Sequence, residues 1–334
     1  MKGSDFMYQT RRRIKKWPIV ILIIFVLLII GGIVGFKLYK YYNSYEYKLG
    51  QIGYNESEIS TLIKSDQKVI DKALTKYDKE LIPLTSEKYF IWKNYNTYKE
   101  YINKKKQETN KIDYSEIITI VNVKRNYDYY THIKETNMDN GYSILVNKYY
   151  SLPEKYKPED LVKASNQYAY GDNSLRSEVY DAFKNMFNAA KKENITLIIN
   201  SGFRTYEYQK GLYDNYKNTK GEEYADGYAA RPNHSEHQTG LAIDIITYGA
   251  NGKNFDQTDA FKWLSKNAHK YGFILRYPKD KENITGYSYE SWHYRYLGQD
   301  LATKVKNSGL TYDEYYAFYL DKDVSDGSKK KEKK

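Results

Sequence analysis

The chain has 334 residues, a net charge of +11 from 53 Lys and Arg against 42 Asp and Glu, and no cysteine. That length holds one domain of ordinary size and something besides, and the absence of cysteine excludes disulfide staples, leaving the core and any bound metal to stabilise the fold. Lysines are interleaved with acidic residues, and the one dense run, Lys329 to Lys334, is a terminal tail, so the charge does not form the patch of a nucleic-acid reader.

Residues 11–16 read Arg-Arg-Arg-Ile-Lys-Lys, and residues 17–36 are uncharged and rich in Ile, Leu and Val. A run of roughly 20 such residues crosses a bilayer as a helix. Basic residues before it keep 1–16 cytoplasmic and send the rest across. The run is longer than the apolar stretch of a cleaved signal peptide, and no small-x-small site precedes Lys37. Residues 17–36 are therefore expected to be an uncleaved transmembrane anchor, placing the protein in the cell membrane with its working domain outside.

From 53 to about 106 the pattern is helical: Ser57 as a cap with Ile59, Leu62 and Ile63 on one face, the same spacing at Val69, Ile70, Ala73 and Leu74, and a further helix from Ser86. A catalytic domain is expected over 113–320, then a charged tail at 321–334. Residues 37–112 read as a helical stalk or as a linker subdomain packed on the catalytic domain.

Residues 117–123, Ile-Ile-Thr-Ile-Val-Asn-Val, have the period of a strand, and 143–149 reads as another. A helix is predicted over 175–192, with Val179, Phe183, Met186, Phe187 and Ala190 on one face, a buried strand over 196–201, and a helix over 206–216. Thr258 caps a helix carrying Phe261, Leu264 and Ala268 and closed by Gly272. Further strands are predicted at 273–277 and 292–297. Helices and strands mix without strict βα alternation, which makes the class α+β, with a small, mainly antiparallel sheet.

The chemistry is concentrated late in the chain. After Gly240, residues 241–245 read as a strand with Leu241, Ile243 and Ile245 on the core face and Asp244 on the other, beside the small Ala242. A turn at Gly240 can bring His237 over the same face. A third ligand must come from elsewhere, and His293 is the candidate, because alternation puts Trp292, Tyr294 and Tyr296 on one face and His293 with Arg295 on the other. A catalytic zinc takes three such ligands, keeps a fourth position open, and uses a separate carboxylate as base. Glu290 suits that base. Its parity is wrong for the face of His293, so it is expected in the loop entering the strand.

At these residues the chain resembles the VanY-type D-alanyl-D-alanine carboxypeptidases, zinc peptidases of bacterial cell-wall metabolism, over roughly 143–297. Three blocks carry the resemblance: Ser201-Gly202-Phe203-Arg204-Thr205 with Gln209, Ser235-Glu236-His237-Gln238-Thr239-Gly240-Leu241-Ala242-Ile243-Asp244, and Glu290-Ser291-Trp292-His293-Tyr294. It implies His237, Asp244 and His293 as zinc ligands, Glu290 as base, and Arg204 as the arginine that stabilises the substrate carbonyl oxygen as charge develops. Ser235 and Gln209 match positions near the substrate, and Ser201 and Trp292 in the same blocks are further substrate-binding candidates. Many relatives have Pro-Gly where this chain has Pro232-Asn233 before His234. Asn tolerates positive φ, so the turn should survive. His234 is expected to be an exposed loop residue, and His132 and His269 to be structural.

The function expected from the resemblance is a membrane-anchored zinc D,D-carboxypeptidase that removes the terminal D-Ala from peptidoglycan stem peptides, with Zn²⁺ as cofactor. The alternatives are an L,D-carboxypeptidase or an endopeptidase on the same substrates, or a peptidoglycan-binding module that does not cut. An intact Glu290 argues against the last. Stem peptides and the membrane are the expected partners; nucleic acid is not.

Overall fold

The computed structural model describes residues 16–321 apart from Asn251 and Lys253. The basic residues 11–15 and the tail from 322 onward lie outside the described residues. The chain divides into two compact units, residues 1–86 and 87–334.

In the first unit, helix α1 (Trp17–Asn43) has 27 residues, none of them buried, and is long and apolar enough to cross a membrane. Four short helices come next: α2 (Tyr45–Ile52), α3 (Glu56–Leu62), α4 (Gln67–Ala73) and α5 (Leu81–Ser86). They bury a small core that includes Leu49, Leu62, Ile70, Ala73, Leu81 and Leu84. The cap of α3 is Asn55 rather than Ser57: its side chain accepts from Glu58 N while Glu58 accepts from Asn55 N, a reciprocal pair that Ser57 cannot make from inside the helix.

The second unit begins with α6 (Tyr95–Glu108) and α7 (Tyr114–Asn122). Two sequence expectations fail here. The helix expected from Ser86 instead starts at Tyr95, and residues 117–123 are helical rather than extended. Ile117, Ile118, Ile120 and Val121 are buried, the i, i+1, i+3, i+4 spacing of one helix face, and Asp113 caps that helix by accepting from Glu116 N at its start.

Residues 143–149 are not a strand either. Ile144, Leu145 and Val146 are all buried, so the stretch has no solvent face. Side chains satisfy part of its backbone, with Arg295 Nη2 donating to the carbonyl of Ile144 at 2.8 Å and Tyr312 donating to that of Ser143 at 2.7 Å.

Two small pairings precede the main sheet: β1 (Lys134–Glu135) with β2 (Tyr150–Ser151), and β3 (Leu161–Lys163) with β4 (Ser174–Arg176). The main sheet has β5 (Ile198–Ser201), β6 (Ala242–Ile246), β7 (Phe273–Tyr277) and β8 (Glu290–Tyr296) in the order β5-β6-β8-β7, antiparallel throughout. One face of it is dry. Helix α8 (Ser177–Lys192) lays Val179, Phe183, Met186 and Phe187 in a cluster with Leu241, Ile243 and Ile245, and further along the chain Trp263 and Leu264 join the same core. Each large side chain buried this way contributes about 1.5–3 kcal/mol. Strand alternation then turns Asp244 and His293 to the opposite face.

Candidate metal and catalytic centre

Sheet register assembles the site. Asp244 pairs with Ser201 on one side and with His293 on the other, so one row across three strands carries a hydroxyl, a carboxylate and an imidazole. His237 comes from a short turn, Glu236–Thr239, closed by Gly240 in the left-handed region at φ 67°. Its Nδ1 lies 2.7 Å from the Gly202 carbonyl, which can only accept, so Nδ1 carries the proton and Nε2 turns its lone pair inward.

One donor atom each from His237, Asp244 and His293 lies within 4.8 Å of the others, and all three residues are buried. His237 Nε2 is 3.3 Å and His293 Nδ1 is 3.2 Å from Asp244 Oδ1. These are charge-pairing distances without hydrogen-bond alignment, and among the described residues Oδ1 has no hydrogen-bond partner. A buried carboxylate oxygen left in that state is costly. A cation among the three donors would remove the cost, and two imidazole nitrogens with one carboxylate oxygen are the donor set of a catalytic zinc with a position left open.

Burial pushes His237 down to about 4, with Arg204 adding to the shift and Asp244 opposing it, so its ring is neutral as a ligand must be. His293 moves the other way: burial lowers it, but Asp244 and Glu236 outweigh burial and raise it to about 9.

Glu290 Oε2 is 3.6 Å from His293 Nδ1. It is the first residue of β8, paired with Tyr277, and not in an entering loop. Between two successive pairings β7 advances from Leu275 to Tyr277 while β8 runs from Tyr294 to Glu290, so the strand bulges and simple alternation no longer tells which face Glu290 takes. Burial pushes its carboxyl up to about 7, against the pull of His293 and with the repulsion of Asp244.

The structure also brings Arg204 and Ser201 into the group. Arg204 Nη2 donates to Asp244 Oδ2 at 3.0 Å and to Ser201 Oγ at 2.9 Å. Gln209, on α9 (Tyr206–Lys220), is buried; its amide donates to the Ala230 carbonyl at 2.8 Å, while its own carbonyl oxygen has no hydrogen-bond partner among the described residues. Ser235 is buried at the start of the His237 turn. Trp292 is not brought in: it packs against the core cluster on the other face.

His234 is buried rather than exposed, its Nδ1 2.7 Å from the Asn147 carbonyl and its ring edge-on to Tyr130. The turn before it survives, with Asn233 at φ 66°. His132 is exposed and stacks on Tyr127. Sequence reasoning gave no part to Glu236, Arg276 or Asp313, which lie directly behind His293. For Arg295 the signal was present, because it shares the strand face of His293.

An antiparallel sheet whose polar face carries a buried His-Asp-His donor set, with the Glu290 carboxylate beside it, has the makings of a metal centre. The family model described as VanY, D-alanyl-D-alanine carboxypeptidase, matches residues 172–299. The chain is 45% identical over 182 residues to the putative carboxypeptidase YodJ of Bacillus subtilis, covering 52% of this chain and 66%, just under two thirds, of that relative. It is 32% identical over 179 residues to a bifunctional D-Ala-D-Ala dipeptidase and D-Ala-D-Ala carboxypeptidase of Enterococcus gallinarum, covering 93% of that protein. Among solved structures it is similar to the LdcB LD-carboxypeptidase, at 42% identity and a TM-score of 0.53, over 56% of this chain and 91% of the other. The chain belongs to the VanY D-alanyl-D-alanine carboxypeptidase family.

Proposed function

We propose that this protein is a zinc carboxypeptidase that removes the terminal D-Ala from peptidoglycan stem peptides, held at the outer face of the cell membrane by residues 17–36 with its catalytic domain within 113–320. The observation that carries the reading is the buried donor set of His237, Asp244 and His293 with Glu290 beside it. Zinc held by those three residues would polarise a carbonyl and lower the pKa of water to about 7.

The chain's own residues do the rest. Glu290 takes a proton from the attacking water and returns it to the leaving amine as the peptide C–N bond breaks. Arg204, already fixed by Ser201 and Asp244, offers its guanidinium to the oxygen on which negative charge develops. Gln209, whose carbonyl oxygen has no hydrogen-bond partner among the described residues, is proposed to lie near the substrate.

A second reading has its own support. The likeness to an LD-carboxypeptidase at 42% identity favours cleavage of an L,D bond in the tetrapeptide by the same machinery.

The test is mass spectrometry of products after the detergent-solubilised full chain is incubated with Zn²⁺ and synthetic stem pentapeptide or tetrapeptide, with Glu290→Ala as control. Loss of one D-Ala from the pentapeptide, absent in the control, supports the D,D reading. Cleavage of the tetrapeptide alone moves it to L,D. No cleavage of either by zinc-loaded protein overturns both and leaves an endopeptidase or a binding module.

A further inference from the structure

Glu236 is a fully buried carboxylate with no part in the mechanism above. Its Oε1 accepts from Arg276 Nε and from Arg295 Nη1, each at 2.8 Å, and its Oε2 lies 3.3 Å from His293 Nε2. Both guanidinium groups are themselves buried. Asp313 pairs with Arg276 from behind, with Nη2 to Oδ1 at 3.1 Å, and Asn147 donates to the same Oδ1 at 2.8 Å. Arg295 also donates from Nη2 to the carbonyls of Tyr142 and Ile144 and from Nε to that of Tyr296. Two cations and two anions thus balance without water.

Such a cluster is poor evidence for stability, since buried ion pairs often do no better than apolar side chains of the same volume. Its geometry has another consequence. Two charge-assisted donors on Oε1 keep the carboxylate ionised, so Oε2 can only accept. The nitrogen facing Oε2 must then carry the hydrogen. An imidazole protonated on Nε2 has its free lone pair on Nδ1, and Nδ1 is the atom 3.2 Å from Asp244 Oδ1.

We propose that Glu236, clamped by Arg276 and Arg295, is a positioning residue that holds His293 in the Nε2–H tautomer and so presents Nδ1 to the metal. The inference rests on the reading of His293 as a ligand. It makes the two histidines mirror cases: the Gly202 carbonyl fixes His237 by its Nδ1–H and frees Nε2, while Glu236 fixes His293 by its Nε2–H and frees Nδ1. A partner of this kind typically changes metal affinity by about 10–100-fold.

In Glu236→Gln the two arginines claim the amide oxygen, which turns the NH₂ group toward His293. The ring nitrogen facing that group must then accept, and the proton moves to Nδ1, where it blocks ligation. The experiment records imidazole nitrogen shifts of the metal-free, histidine-labelled full chain in detergent, at a pH alkaline enough for the ring to be neutral. Zinc affinity is measured alongside by chelator competition. The expected result is Nε2–H on His293 in the wild type, Nδ1–H in E236Q, and a zinc affinity about 10–100-fold weaker in the variant. A wild type with Nδ1–H on His293 overturns the proposal, and so does a folded E236Q that keeps both the tautomer and the affinity. If the uncompensated cation prevents E236Q from folding, the charge-balanced E236Q/R295M is read in the same way, and the wild-type tautomer decides whether or not either variant folds. A wild type that shows Nε2–H but takes up no zinc sinks the metal reading of the site, not the role of Glu236.

Discussion

Arg204 Nη2 lies 3.0 Å from Asp244 Oδ2, and this bond turns the carboxylate so that its other oxygen, Oδ1, faces the two imidazoles. One guanidinium therefore touches both halves of the chemistry. On the proposed function it would steady a metal ligand and also be placed to meet charge on the substrate. Arg204→Ala is expected to lower turnover about 100-fold to 1000-fold at saturating zinc and, in addition, to weaken zinc binding by up to about 10–100-fold. Arg204→Lys restores the charge but not the fork that spans Asp244 and Ser201, so it should fall between. Steady-state kinetics at saturating zinc, paired with chelator competition, separate the two effects. Unchanged turnover with weakened zinc would leave Arg204 a purely positioning residue.

Glu290 stands 3.6 Å from His293 Nδ1, the nitrogen on the Asp244 side of the ring, and its proposed part is to move a proton rather than to ligate. Glu290→Gln keeps the shape and removes the base. Turnover should fall by about 100-fold to 10,000-fold while zinc stoichiometry, read by native mass spectrometry, stays at one. Loss of zinc in the variant would instead make Glu290 a fourth ligand and the site a closed, structural one.

The Gly202 carbonyl that fixes His237 belongs to a residue with no room for a side chain. A Cβ at 202 would sit 2.6 Å from the Ser174 carbonyl oxygen and 3.0 Å from Leu175 Cδ2. The backbone must move to relieve that contact, and the carbonyl moves with it. Gly202→Ala is expected to cost about 1–3 kcal/mol of stability and to loosen zinc through His237, whose Nδ1 is 2.7 Å from that carbonyl. Urea unfolding followed by zinc titration of the folded variant checks both, and wild-type zinc affinity would show that the ring does not depend on this contact.

The site was legible where local pattern and geometry coincide. Leu241, Ile243 and Ile245 alternate with Ala242 and Asp244, and a strand with one buried face obeys that alternation, so the outward Asp could be placed from sequence alone. Thr258 likewise caps its helix, Asp259–Asn267, while Gly272 closes the 3-10 turn Ala268–Tyr271 that follows it. Parity failed for Glu290 because β8 bulges, and a bulge leaves no mark in a run of aromatic residues. It failed again at residues 117–123, where β-branched residues favour a strand but the buried positions 117, 118, 120 and 121 follow the helical period, and the cap, Asp113, lies outside the run. The charge cluster behind His293 was out of reach for another reason. Glu236, Arg276 and Asp313 meet from positions about 40 residues apart, and nothing near any one of them in the chain announces the others.

Lys148 offers a test of pH dependence away from the metal ligands. It is 1% exposed, its Nζ donates to the Asp226 carbonyl, and the rings of Tyr129 and Tyr287 lie 4.0 and 4.2 Å from Nζ. Burial pushes its pKa from 10.5 down to about 7; the Asp226 carboxylate opposes the shift, and Arg125 and Arg231 add to it. The unfolded chain holds this proton up to the ordinary lysine value, whereas the native protein releases it near 7, so between those limits the unfolded state binds more protons and stability rises with pH. The contribution is complete above the unfolded value and is lost as pH falls through the folded one. Relative to Lys148→Met, the wild type should gain about 1.4 kcal/mol per pH unit inside that window, read from urea unfolding of both proteins at neutral and alkaline pH. Parallel curves would mean that the Tyr129 and Tyr287 faces and the Asp226 carbonyl hold the ammonium charged against burial, and that its native pKa stays near that of a free lysine.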